Sequence, residues 1–322
     1  MPTVYSCERI LAGVDWAHAE LRAMNKASGY AMDELLKDYQ SGDPRPGKFA
    51  RYLRGENLPS ERVLMELMSA HRSDASERMQ LPLYDVLARG HHALLESDAD
   101  IEVLFEIERR LTYRLTRHWS GNGLEAVEIT PTRASTLASH ANSYALAALL
   151  VWAPSRQALD SDGGSVDSNA CLLIGQRAFQ CLILTMASGE FAQTGPVLTA
   201  RVRQRVLDGL EWQGQRLDTA SVDVADAVEA GRRLLEQTRT QTTPGKQRSA
   251  LRKLLTQSNA ADLEAITPQI VPVEHAQAMR AKHPVALAFP PMSGEKANRV
   301  SGYGLKARTL LLKELADYVQ DL

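Results

Sequence analysis

The sequence predicts a mainly α protein: a small N-terminal helical module, residues 1–88, and a larger helical domain, residues 89–322, with at most one short strand near 285–289. Three observations lead there. Apolar residues recur at three-to-four spacing along most of the chain, strict apolar–polar alternation is scarce, and helix start and stop residues punctuate the pattern. Of 322 residues, 44% are hydrophobic and 24% charged. A globular chain of that length buries roughly three quarters of its unfolded surface.

Leu21 and Met24, then Met32, Leu35, Leu36 and Tyr39, give short amphipathic pieces. Val63, Leu64, Leu67 and Met68 give another, with Ser60 placed as its N-cap. Leu81 to Leu87 leads into a polar hinge at Arg89-Gly90. From Asp100 the stripe Ile101, Leu104, Phe105, Leu111, Leu115 predicts a helix of about five turns, closed by Ser120-Gly121-Asn122-Gly123. Thr130 as N-cap and Pro131 at the first helical position start the next, which should run to Trp152 and stop at Pro154. Asp160 to Ser165 reads as a loop. Residues 168–188 are apolar on nearly every face, so that helix belongs at the centre of the core. Helices over 196–213 and 220–237 follow, then a polar break over 238–245. The basic C-terminal subregion, 246–322, holds short helices at 246–256 and 260–266, the strand Val285 to Phe289, a Gly-containing loop, and a last helix over 305–319.

Thirty-seven basic residues against 39 acidic ones leave a net charge of −2, so no global field draws the molecule to DNA or anionic lipid. Cys7, Cys171 and Cys181 are too few and too scattered for a disulfide framework or a four-ligand zinc site, which points to a reducing compartment. The N-terminus lacks the basic-then-apolar order of a secretory signal. Residues 144–153 are too short to span a bilayer, and residues 171–187 are interrupted by Gln176, Arg177 and Gln180. A cytoplasmic protein without membrane association is the expectation.

No catalytic motif emerges. Asp160-Ser161-Asp162-Gly163-Gly164 begins like a calcium loop, but its twelfth position is Cys171 rather than a carboxylate. Adjacent His91 and His92 diverge by about 100° on a helix and cannot chelate together. Glu106 and Glu108 fall on nearly opposite helix sides. Neither a Gly-x-Ser-x-Gly elbow nor a His-Glu-x-x-His pair occurs. No metal, cofactor or enzymatic activity is expected, and an enzyme assembled from dispersed residues stands only as a third reading. Trp16, Trp119, Trp152 and Trp212 border predicted helices, as packing residues do, and Tyr303 alone lies in a basic loop.

Phe49-Ala50-Arg51-Tyr52-Leu53-Arg54-Gly55-Glu56-Asn57-Leu58-Pro59, followed by Val63-Leu64-Met65-Glu66-Leu67, has the order of a helix, a Gly stop and a Pro before the next helix. On those residues the segment 31–70 resembles a lambda-repressor-like helix-turn-helix. It is also similar to uncharacterised proteobacterial proteins with an RYLRGE-like stretch. The resemblance covers about 40 residues, places the preceding helix on Met32 to Tyr39, and departs from the family in spacing. Leu35 to Gly55 is 20 residues, longer than the family's, and includes Pro44 and Pro46. It implies a DNA-associated protein, a transcriptional regulator or a component of a mobile-element or phage-defence system, that binds double-stranded DNA and self-associates. Arg45, Lys48, Arg51 and Arg54 are the candidate DNA contacts. Residues 44–62 hold five bases against two acids. The alternative is a helical interaction or scaffold protein whose N-terminal module only packs.

Charge is segregated further along. Residues 237–261 hold five bases and no acid, residues 280–308 six bases and one acid, and residues 96–108 six acids and no base. Such segregation favours an anion-facing surface. Arg248, Arg252, Lys253, Lys296, Arg299, Lys306 and Arg308 are therefore candidates for a second anion or nucleic-acid contact, set against a merely solvated basic face. No P-loop spacing is present.

Overall fold

A computed structural model describes residues 7–26, 28–29, 31–33, 47–55, 57–71, 74–90, 98–118, 124–128, 130–161, 169–256 and 261–275. Among the described residues the architecture is mainly α with two small antiparallel sheets. The described residues up to Tyr84, with Gln193–Leu198, form one compact unit; those from Asp85 to Ala192 and from Thr199 onward form another. The expected strand at 285–289, the last helix at 305–319 and most of the Asp160–Ser165 loop lie outside the described residues.

The first unit contains α1 (Cys7–Ala23), helical residues 31–33, α2 (Lys48–Leu53), α3 (Glu61–His71) and a 3-10 segment (Asp74–Gln80). Its core gathers Trp16, Ala17, Met32, Phe49, Tyr52, Leu53, Val63 and Leu67. The rings of Trp16, Phe49 and Tyr52 lie with centroids 5.7 to 5.9 Å apart in tilted and edge-on pairs, the arrangement that aromatic quadrupoles favour. Gly29 lets the backbones meet: a Cβ there would stand 2.8 Å from the Ala50 nitrogen. Gly55, at φ 68, ends α2 by donating its N–H to the Tyr52 carbonyl at 3.0 Å.

α4 (Pro82–Arg89) leads on to α5 (Asp98–Leu111), β1 (Thr116–His118) and β2 (Leu124–Ala126). α5 ends earlier than its apolar stripe suggests. Thr112 turns left-handed at φ 51, and the Glu108 carboxylate accepts the Leu115 and Thr116 N–H groups at 3.0 and 2.8 Å, starting a strand. α6 (Pro131–Ala138) opens as expected, with the Thr130 hydroxyl accepting from the Arg133 N–H. It does not continue to Trp152. A turn at residues 139–142, with Ala141 at φ 49 and Asn142 Oδ1 capping Ala145, separates it from α7 (Ser143–Ser161). α7 then passes through Pro154 instead of stopping. Residues Val151, Trp152, Ala153, Pro154 and Ser155 are all buried, and packing of α7 on α8 (Ala170–Ala187) offsets the one helix bond a proline removes.

α8 is the centre of the second unit, buried on nearly every side and packed by α6, α7 and α10 (Val224–Arg239). Length and composition would let it cross a membrane, yet its buried faces are those of a core helix. Gly175 lets the chain after α9 (Gly195–Arg205) approach, since a Cβ would stand 2.6 Å from Leu210 and 2.8 Å from Leu217. There the predicted helix over 196–213 breaks into a 3-10 turn (Leu207–Gly209) and the hairpin β3 (Glu211–Trp212) and β4 (Gln215–Asp218). Gln213 and Gly214, both at positive φ, make its two-residue turn. α11 (Pro244–Thr256), α12 (Ala261–Ala265) and β5 (Gln269–Pro272) follow, with β5 pairing β4 at Asp218↔Gln269.

Candidate nucleic-acid interface

α2 is six residues long, and four of them, Phe49, Ala50, Tyr52 and Leu53, are buried. Packing fixes which side is left over, and it holds Lys48 and Arg51, both half-buried. Arg54, also half-buried, forms the C-cap. Arg45 lies outside the described residues. The start of α2 is closed from within: Asp33 Oδ2 accepts the Gly47 N–H at 2.9 Å and Oδ1 accepts that of Phe49 at 2.8 Å. Burial raises the Asp33 carboxyl above its ordinary range, opposed by those two bonds and by the charges of Arg51 and Lys48. The backbone donors a phosphate would seek at a helix start therefore serve an internal carboxylate.

α11 is the reverse case. Pro244 stands at its first position and the Thr243 hydroxyl accepts the Lys246 N–H. Leu251 and Leu255, four apart, are its buried residues. Lys246, Arg248, Arg252 and Lys253 are exposed, no acid interrupts them, and none forms an ion pair with a described residue. Arg248 and Arg252 share one line of the helix at i, i+4 spacing. Its C-terminal end is anchored by Arg177 of α8, whose Nη1 donates to the Leu255 carbonyl at 2.8 Å. A cation at that end complements the helix dipole.

α6 packs beside α11 and widens the cationic face. His140, just after α6, lies close enough to Arg248 to feel its charge. Burial, reinforced by Arg248, pushes the imidazole down to about 4, so it is neutral at pH 7. The Tyr113 ring meets His140 edge-on at 6.0 Å, and the Arg133 guanidinium lies over Tyr113 at 5.8 Å. Arg133 also donates to the Arg114 carbonyl at 2.8 Å. A chain of contacts thus runs from the Arg114 backbone through Arg133, Tyr113 and the neutral His140 to Arg248.

Of the residues expected to meet an anion, Arg248, Arg252 and Lys253 occur together on α11, whereas Lys48, Arg51 and Arg54 border a core. Lys296, Arg299, Lys306 and Arg308 lie outside the described residues. Tyr113, Arg114, Arg133 and His140 escaped the linear reading because Arg248 lies more than a hundred positions from them, a separation only the packing of α6 on α11 removes.

Other chemistry finds no comparable grouping among the described residues. Among the described residues no three His, Cys, Asp or Glu side chains converge to hold a metal. Cys171 and Cys181 are buried, and burial pushes the Cys181 thiol up to about 12, far from a reactive thiolate. The buried Asp15 carboxylate pairs with the half-buried Arg78 at 3.0 Å and ties α1 to the 3-10 segment. No protein-family model, curated protein or solved structure matches this chain.

Proposed function

We propose that this protein associates with DNA through the phosphate backbone, with α11 as the principal contact. The observation behind this reading is the row of four exposed cations on α11, free of acidic neighbours on the helix and continued by Arg133 and Arg114. From Lys246 to Lys253 a helix rises about 10 Å, which spans about four successive phosphates of one strand of a duplex. Each lysine or arginine that neutralises a phosphate releases a counterion, so affinity should fall steeply with salt. The acids gathered over residues 96–108 keep the net charge near neutral, and none of them lies within α11. Backbone contact positions a protein without reading bases. In this reading the N-terminal module, despite its helix-turn-helix resemblance, acts mainly by packing α2 into a core. A regulator, or a component of a mobile-element or defence system, is the setting such association would serve.

Fluorescence anisotropy with a labelled duplex between 50 and 200 mM salt tests it. Replacing Lys246, Arg248, Arg252 and Lys253 together with alanine should reduce the salt slope by about 3 to 4 and weaken binding at least tenfold. Unchanged binding with an unchanged circular dichroism spectrum removes the proposal, as does the absence of DNA binding by the wild type at 50 mM salt.

A further inference from the structure

Two arginines of the second unit are buried without the partners such groups ordinarily need. Arg203, in the last turn of α9, is 4% exposed, and Arg216, on β4, is 9% exposed. A guanidinium carries five N–H donors. None of those of Arg203 reaches a described acceptor, its Nε is sealed from solvent, and no described carboxylate lies within ion-pair distance. Arg216 donates from Nη2 to the Asp208 carbonyl at a long 3.4 Å, and its Nε is sealed and unmet.

The nearest opposite charges acting on Arg203 are Asp208, in the 3-10 turn, and Asp218, at the end of β4 and 3% exposed. Both carboxylates are bound locally instead. Asp208 Oδ1 accepts from the Thr219 hydroxyl at 3.3 Å, and Asp218 Oδ1 from the Ser221 N–H at 3.3 Å. Burial pulls the Arg203 pKa down, and the two aspartates oppose that pull. The segment from 203 to 218 thus brings two donor-rich guanidinium groups and two acceptor carboxylates into one buried neighbourhood.

We propose that Arg203 and Arg216 bind a protonatable oxyanion, a phosphate monoester or inorganic phosphate in its hydrogen-phosphate form. The planar guanidinium fork matches the spacing of oxyanion oxygens and supplies two parallel bonds to them. The P–OH group of the same ligand donates to Asp208 or Asp218. Sulfate has no proton to donate at neutral pH and sets bare oxygens against both carboxylates, so the site discriminates against it. A phosphate monoester loses its remaining proton at its second ionisation, near pH 6, so its affinity declines as pH rises past it, whereas inorganic phosphate keeps one P–OH as hydrogen phosphate. This site is separate from α11 and does not depend on DNA association.

Isothermal titration of the full chain with inorganic phosphate, glycerol phosphate and sulfate tests the assignment. One saturable site for phosphate or the monoester, with sulfate at least tenfold weaker, is expected; which of the two binds tighter identifies the ligand. Arg203→Gln should weaken binding at least tenfold, and Asp218→Asn should narrow the phosphate-to-sulfate ratio. The fourfold alanine variant of α11 should keep the site intact, which separates failure here from failure of the DNA reading. If Arg203→Gln does not fold, the wild-type preference and the Asp218→Asn ratio decide. No saturable phosphate binding, equal affinity for sulfate, or a folded Arg203→Gln protein that binds as well as wild type would overturn it.

Discussion

α2 and α11 have similar claims in a charge count and opposite roles in the fold. On α2 four of six residues are buried, and the start of the helix is closed by Asp33. On α11 two of thirteen are buried, and every cation stands outside. A window of sequence records how many bases it holds, but not how much of the helix the core claims. In a short helix carrying two aromatics, little circumference remains for recognition. In a longer one anchored by two leucines, most of it does.

The largest effect expected from this contrast is on stability. Phe49→Ala removes a fully buried ring from the Trp16–Phe49–Tyr52 cluster and should cost about 3–5 kcal/mol. Arg252→Ala on the exposed side of α11 should change stability by less than about 0.5 kcal/mol. Urea unfolding of both variants measures the difference. A mild Phe49→Ala would mean that α2 is no core element, and the contrast would fail.

Acid separates the two units next. His140 in the second unit and His18 in the first are each pushed down to about 4, mainly by burial, with Arg248 and Arg22 adding to it. The unfolded imidazoles titrate near 6.5. Between those values the unfolded chain holds the extra proton, so stability present at neutral pH is lost as pH falls from about 6.5 toward 4. A histidine so placed contributes on the order of 2 kcal/mol. In the first unit Asp15 and Asp33 work against that loss, because burial raises both carboxyls and the folded state takes up their protons first. His140→Asn and His18→Asn should each remove one imidazole's share of that loss and flatten the fall in thermal midpoint between pH 7 and 5 by a similar amount. A variant that keeps the full wild-type fall would show that burial does not hold its histidine neutral.

The helical class, the core position of α8 and the Thr130-Pro131 start were legible because each rests on local pattern: apolar coverage, a cap and a preset φ. The break at residues 139–142 was not, because Ser139-His140-Ala141-Asn142 holds neither Gly nor Pro to stop a helix and only Asn142 signals a new start. The hairpin at Glu211–Asp218 was hidden by strands of two and four residues, too short for alternation to register. For the proposed interface, the basic residues of α11 were visible as a run, while Arg133, Tyr113 and His140 join them only through tertiary packing. Asp33 was invisible as a cap because it acts across sixteen positions.

That cap supplies a smaller test. Asp33→Ala removes the acceptor of two N–H groups at the start of α2 and should cost about 1–2 kcal/mol. The matched Asp33→Asn keeps one oxygen acceptor and should recover part of the loss in the same urea titration. If both variants unfold like wild type, water satisfies those N–H groups and the start of α2 is open to an external anion after all.

The smallest expected effect is the most discriminating. Lys48 and Arg51 lie beside the Asp33 carboxylate and stabilise its charged form, so part of their field is already spent inside the module. Lys48→Ala combined with Arg51→Ala should leave stability within about 0.5 kcal/mol of wild type. It should also change the salt slope of DNA binding by less than about 1, against 3 to 4 for the α11 substitutions. A drop near 2 would assign one phosphate to each of those cations and restore α2 as a DNA contact. The contrast between the helices would then be one of degree, set by how far each side chain extends past its own packed face.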